Sequence, residues 1–284
     1  MTATDVSVII VNFNAGADLR LALESLRDTL SCTWEAVVVD NASTDGSAAI
    51  AGEFQPQVRL IANEANVGFA CGMNQGLAAT SGGYVLLMNP DCRLTPGAFD
   101  TLVAELDDFD ACAIAGPRIV NPDGSIQGSA RGDPDMFTGI FGRAALFRKL
   151  FPRLSVSRRN VIDLGAAMGS IEVDWVSGAC MLARREALVQ VGGFDERYFL
   201  YWEDADLCRR LRGRGHQIRY VPGACAIHRV GQSSRSAKDP AIRAFHESAY
   251  LYYATHVAPR SPGRRALARL ILTARAWWQL KLTS

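Results

Sequence analysis

The chain has 284 residues, 49% of them hydrophobic and 21% charged, enough apolar content to bury a substantial core as one large domain or one domain with an appendage, and too much for a disordered chain. A formal net charge of +1 supplies no overall field for nucleic acid, so no nucleic-acid partner is expected and any basic function must come from a local patch. The seven cysteines are scattered, odd in number and without a Cys-x-x-Cys pair, which argues against a disulfide framework or a zinc site and fits a reducing cytosol.

Apolar strand-like runs alternate with helical patterns from the start. Strands are expected at 6–11, 36–39, 58–61, 84–88 and 111–115, and helices at 17–30, 47–54, 68–79 and 96–109. Alternation of this kind implies an α/β fold with a mainly parallel central sheet and flanking helices. Parallel strands place their C-terminal ends on one edge, where α/β proteins bind ligands. Asn12 and Asn14, Asp40, and Asp91 each stand at or just after such an end. The run Tyr84-Val85-Leu86-Leu87-Met88 suits a strand covered on both faces, and Pro90, which has no N–H, ends it and leaves Asp91 at the rim.

Absences narrow the ligand. The first strand-to-helix turn reads Asn12-Phe13-Asn14-Ala15-Gly16 rather than Gly-x-Gly-x-x-Gly, and no P-loop motif occurs, which weakens dinucleotide and P-loop readings. Asp40 opens the loop Asn41-Ala42-Ser43-Thr44-Asp45-Gly46-Ser47, which either serves only to cap the next helix, through Ser47 or Asp45, or also lets Asp40 accept a hydrogen bond from a nucleobase or ribose. Gly68, Gly72 and Gly76 recur every four residues and permit close packing of a helix on the sheet. Asn66 and Asn74 are candidates to hydrogen-bond a nucleotide. The segment 116–171, rich in Gly, Pro and Arg and with basic residues interleaved at 141–154, reads as a mobile loop.

Four early blocks, Val8 to Asn14, Val39 to Ser47, Asn66-Val67-Gly68-Phe69-Ala70 continuing to Gly76, and Asn89-Pro90-Asp91, resemble the successive blocks of the family 2 inverting glycosyltransferases. Trp175-Val176-Ser177-Gly178, Gly192-Gly193-Phe194-Asp195-Glu196, Trp202-Glu203-Asp204-Ala205-Asp206-Leu207 and His228 follow in family-like order, so the resemblance covers roughly 5–256. The chain is most similar to the bacterial rhamnosyltransferase-like branch, with Asn-Pro-Asp where other members have Asp-x-Asp. The resemblance implies a GT-A fold over 1–256, with a nucleotide-sugar-binding half at 1–117 and an acceptor-binding and catalytic half at 118–256. It also implies a nucleoside-diphosphate sugar donor, with dTDP-L-rhamnose leading and a UDP-sugar as alternative, and a cell-envelope glycan or lipid-linked saccharide as acceptor.

Such chemistry builds negative charge on the departing diphosphate, which Mg2+ or Mn2+ held by one or two carboxylates plus phosphate and water can offset. Asp91 is the expected metal carboxylate, Asn89 replaces the family's first Asp beside the donor, and His228 resembles the family's late histidine ligand, favouring Mn2+ over Mg2+ or donating to the diphosphate. Inversion requires a base opposite the leaving group. By resemblance that base is Asp204, with Glu203 orienting an acceptor hydroxyl and Asp206 pairing with Arg209 or Arg210 on a helix expected at 203–214. Trp175, Ser177 and Gly178 resemble the segment beneath donor sugar and acceptor, although Trp175 serves equally well as a core residue.

The tail at 260–281 contains no acidic residue and several arginines, with Leu267, Leu270, Ile271, Ala274 and Trp278 on one helical stripe. A helix at 257–284 of this kind either lies on an anionic membrane, covers the sheet or makes a homodimer. With no signal sequence and no apolar run of about 18 residues, the expected location is cytoplasmic, with peripheral contact at the inner face of the membrane. Two competing readings, a sugar nucleotidyltransferase and a non-catalytic sugar-nucleotide-binding protein, respectively require a Gly-rich N-terminal loop that is missing and predict loss of Asp91 or Asp204, both of which are present.

Overall fold

The computed structural model describes residues 6–133, 169–229 and 238–283. Its first half is a parallel block of β1 (Val6–Asn12), β2 (Trp34–Asp40), β3 (Val58–Ala62) and β4 (Tyr84–Met88), ordered β3-β2-β1-β4 in the sheet. The crossovers carry α1 (Asp18–Thr29), α2 (Ser47–Ile50, continued by a 3-10 turn Ala51–Phe54) and α3 (Phe69–Ala79). The unbroken apolar strands follow from burial on both faces: Val6, Val8 and Ile10 of β1 pack into one core, and Ile9 and Val11 into the other. On α3 the every-fourth glycines face β1 so closely that an added Cβ would stand 2.9 Å from Val11 at Gly72 and 2.3 Å from Ile9 at Gly76.

The second half extends the same sheet. In chain order it contains β5 (Cys92–Leu94), α4 (Ala98–Asp108), β6 (Cys112–Val120), β7 (Ile126–Gln127), β8 (Ala130–Arg131), β9 (Ile171–Glu172), β10 (Trp175–Val176), β11 (Cys180–Arg184), α5 (Arg185–Gln190), α6 (Glu203–Arg212), β12 (Gln217–His228), α7 (Lys238–Tyr252) and α8 (Pro262–Thr283). Beyond β4 the order is β11-β6-β12-β5, with β11 antiparallel to both of its neighbours and β12 parallel to β6. The antiparallel insertion of β11 is a departure from simple alternation, and it carries the 177–179 segment back to the C-terminal edge of β4.

Strand β6 runs past its expected end at residue 115 and through Pro117, a residue with no donor for the ladder. The partner accommodates it with a register shift: Val221 pairs with Pro117 and Cys225 with Arg118, so β12 bulges at the proline. The expected mobile loop at 116–171 is therefore strand at its start, with its stretch 134–168, including 141–154, outside the described residues.

Helix α8 presents a different face to the protein than its apolar stripe suggested. Ala268 and Leu272 are buried, while Leu267, Leu270, Trp277, Trp278 and Leu282 stay exposed. Among the described residues no helix is long and apolar enough to cross a membrane.

Candidate active site

The ends of β1 and β2 are joined by side chains. Asn12, fully buried, donates from Nδ2 to Asp40 Oδ1 at 2.6 Å and to Ser47 Oγ at 2.8 Å, and Asp40 Oδ2 accepts from the Ser43 amide at 2.9 Å. Asn14, at φ 51°, accepts from the Thr44 amide at 2.8 Å, while its own N–H donates to Ser43 Oγ. Asp40 is 3% exposed, so its carboxylate is largely spent in shaping the 41–47 loop. Asn66 accepts from the Gly68 amide two residues on, a turn that starts α3.

Asn74 belongs elsewhere. Its Nδ2 donates to Phe194 O and Glu196 Oε1, and its Oδ1 accepts from the Phe194 amide at 2.8 Å. The amide thus staples α3 to the 193–196 segment. Sequence reading missed a neighbouring network, in which Asn63 donates to Asn41 Oδ1 and exchanges hydrogen bonds with Gln75.

Asp91 and His228 meet because β5 and β12 pair antiparallel with Cys92 opposite His228. His228 Nε2 lies 3.2 Å from Asp91 Oδ1 and 3.4 Å from Asn89 Nδ2, and its Nδ1 lies 2.9 Å from Gln127 Oε1. Both side chains are well covered, at 12% exposure for His228 and 8% for Asp91. A cleft of about 230 Å3 opens beside Asp91, with Asp18, Arg93 and Arg229 in its wall. The Gly231-x-Ser233 stretch after His228 lies outside the described residues.

Among the described residues no three His, Cys, Asp or Glu side chains converge on one point as a metal cage. The Asp91–His228 pair nonetheless fits a divalent cation that completes its shell with diphosphate and water oxygens, since such ions are commonly held by one or two protein carboxylates plus substrate phosphates. An imidazole nitrogen beside the carboxylate suits Mn2+ better than Mg2+.

The candidate base is linked to this centre through three residues. The Asn89 amide donates to Ala179 O at 2.9 Å, and the Gly178 amide donates to Asp204 Oδ2 at 2.9 Å. Gly178 permits this approach, for a Cβ there would come within 3.2 Å of Asp204 Cβ. Asp204 Oδ1 also accepts from the Ala205 amide, so the first turn of α6 aims the half-buried carboxylate. Glu203, one residue earlier, is only 6% exposed. It lies about 100° round the helix from Asp204.

Asp206 sits behind α6 at 1% exposure and accepts from Arg210 Nε and His256 Nε2, each at 2.6 Å. The pairing with Arg210 matches the i,i+4 expectation, whereas His256 arrives from the turn after α7 and has no local sequence signal. Arg209 turns instead to Asp133, Tyr252 and His256 O. Trp175 donates from Nε1 to Gly132 O at 3.0 Å under the Arg131 guanidinium and packs against two apolar clusters, an anchored rather than free ring. The Ser177 amide donates to Ser129 O.

A parallel block ending in polar turns, extended by an antiparallel strand whose leading segment 177–179 touches both the Asn-Pro-Asp turn and the acid that opens α6, is the frame of a GT-A sugar-nucleotide transferase. Solved structures share it. A mannosyltransferase from Pyrobaculum calidifontis in complex with GDP-Man and Mn2+ matches at TM-score 0.56 and 18% identity, over 98% of this chain and 75% of that one. GalNAc-T7 with UDP, GalNAc and Mn2+ matches at TM-score 0.60 and 17% identity, over 80% of this chain and 44% of that one. Residues 7–191 match the Glycosyl transferase family 2 model, and the chain belongs to that family and is a glycosyltransferase. Among its relatives, the N-acetylglucosaminyl-diphospho-decaprenol L-rhamnosyltransferase of Mycobacterium tuberculosis H37Rv is 35% identical over 88% of this chain and 85% of its own length. The rhamnosyltransferase WbbL of Escherichia coli K12 is 44% identical over 29% of this chain and 31% of its own.

Proposed function

We propose that the protein transfers L-rhamnose from dTDP-L-rhamnose, with inversion, to a hydroxyl of a lipid-linked, N-acetylglucosamine-bearing diphosphate. The observation that carries this is the bridge of hydrogen bonds from Asn89 through Ala179 and Gly178 to Asp204, which sets one carboxylate at the end of β4 and another at the start of α6 within one framework. Inverting transfer needs these two positions: a charged group near the leaving diphosphate, and an acceptor-side base.

The donor nucleotide lies along the edge formed by the turns at Asn12, Asn14, Asp40 and Asn66, where the side chains hold the loops in shape and the exposed backbone receives the ligand. Asp91 and His228, with Asn89 beside them, hold a divalent cation, which when bound offsets the charge that develops on the departing diphosphate. Asp204 accepts the proton of the attacking hydroxyl. Ser177 and Gly178 form the floor between the two, and Trp175 stiffens that floor from behind.

The lipid-linked acceptor brings the enzyme to the cytoplasmic face of a membrane. The exposed Leu267, Leu270, Trp277 and Trp278 of α8, on a segment without acidic residues, form a surface suited to an anionic bilayer.

The deciding experiment sets wild type and Asp204→Asn against a panel of nucleotide sugars, with dTDP-L-rhamnose and UDP-sugars among them, with and without Mn2+. Transfer from dTDP-L-rhamnose with inverted anomeric configuration is expected of wild type, and a rate loss of about 10²–10⁴ of the mutant, the span of a general base. Turnover of the mutant at the wild-type rate would remove Asp204 from the role, and preference for another donor would replace rhamnose.

A further inference from the structure

Gln127 has no part in the family blocks, and the geometry points to it as the residue that fixes the proton of His228. We infer that Gln127 fixes a proton on Nδ1 of His228 and so leaves Nε2 as the nitrogen turned toward Asp91 and Asn89. The inference rests on the metal reading of Asp91 and His228 only in its consequence, since the tautomer itself is a property of this chain.

The orientation of the Gln127 amide follows from its surroundings. Its Nε2 donates to His228 O at 2.7 Å and to Asn121 Oδ1 at 2.8 Å, and both partners are oxygens. Asn121 is in turn oriented by donating from Nδ2 to Ser125 Oγ at 2.9 Å. With two acceptors claiming its nitrogen, Gln127 must turn Oε1 toward His228 Nδ1, 2.9 Å away. An amide oxygen only accepts, so Nδ1 carries a proton, and Nε2, 3.2 Å from Asp91 Oδ1, is the ring nitrogen left to face a cation.

The backbone supports the same arrangement. Gln127 pairs with Ile119 in the β6–β7 hairpin, Ile227 pairs with Val120 of the same hairpin, and Cys92, beside Asp91, pairs with His228. Three strands thus set the amide, the ring and the carboxylate in line. A histidine that ligates a metal through one nitrogen usually donates its other N–H to a fixed oxygen, and loss of that partner typically weakens metal affinity by about 10–100-fold. Gln127 is therefore a positioning residue.

The test uses full-length protein with 15N-labelled histidine. Long-range 1H–15N correlation spectra report which ring nitrogens bear a proton, and a His228→Gln sample assigns the signal. Wild type is expected to show Nδ1–H at His228, and Gln127→Met to shift toward Nε2–H. A wild-type ring with no proton on Nδ1, or a proton distribution unchanged in Gln127→Met, overturns the inference. Asn121→Ala, which removes one of the two acceptors that orient the amide, supplies the same comparison should Gln127→Met fail to fold. In parallel, Mn2+ binding in the presence of dTDP is followed by electron paramagnetic resonance, with about 10–100-fold weakening expected for Gln127→Met. Unchanged Mn2+ affinity in that variant overturns the positioning role. Asp91→Asn separates the two readings: if it also leaves Mn2+ affinity intact, the metal assignment is what fails.

Discussion

Asp206 offers the sharpest test of how the candidate base is held in place. At 1% exposure its two oxygens take hydrogen bonds from Arg210 and His256, tying α6 to itself and to the turn after α7. Asp206→Ala would leave Arg210 Nε and His256 Nε2 without that acceptor, while the guanidinium keeps Val191 O. Breaking a buried ion pair from one side costs on the order of 3–5 kcal/mol, and Arg210, at 24% exposure, can recover some hydration, which places the loss near the low end, about 3 kcal/mol. For a chain of this size that corresponds to a fall in Tm of about 6–12 °C. Scanning calorimetry on wild type and Asp206→Ala measures it, with Arg20→Ala, which breaks an exposed pair with Glu53, expected to leave the transition unmoved. Equal melting of wild type and Asp206→Ala would mean that the network contributes nothing and that α6 is held by its apolar face alone.

Gly178→Ala places a Cβ 3.2 Å from Asp204 Cβ, so the acid must shift by a few tenths of an ångström; kcat should drop by about threefold to tenfold with Tm nearly constant, and a wild-type kcat would show that the position of Asp204 is not critical. Burial pushes the Asp45 carboxyl up, but hydrogen bonds from the Ser47 hydroxyl and amide and from the Gly16 amide outweigh it and leave it below its ordinary 3.8. Its contribution to stability is therefore complete above that value and lost as pH falls toward the folded one, so Asp45→Asn should lose less urea resistance than wild type between pH 5 and pH 3, and parallel losses would contradict the assignment. On α8, replacing the exposed Leu270 and Trp277 by Glu spares the buried Ala268 and Leu272 and should release the protein from phosphatidylglycerol vesicles in a sedimentation assay; undiminished binding would reject the membrane surface.

The parallel block was legible from residue order because its signals are local: apolar runs mark β1 to β4, Pro90 ends a strand, and strand direction alone carries Asn12, Asp40 and Asp91 to one edge. The glycine repeat on α3 announced close packing for the same reason, since helix periodicity depends on neighbours in sequence. Strand β11 carries an equally apolar run at Cys180-Met181-Leu182-Ala183, yet its place between β4 and β6, and its direction, are decided by pairing across the sheet. Asn74 shows the limit from the other side: its place in the glycine-rich block gives no hint that a loop 120 residues away takes its amide. His228 and Asn89, 139 residues apart, come together only because β12 pairs with β5, and Gln127 enters only because β7 folds back on β6. Composition, strand polarity and turn chemistry are properties of neighbouring residues and so determined the fold class and the polar edge; which side chains face a ligand and which face each other was decided by long-range strand pairing, whose hydrogen bonds leave no mark on either segment alone.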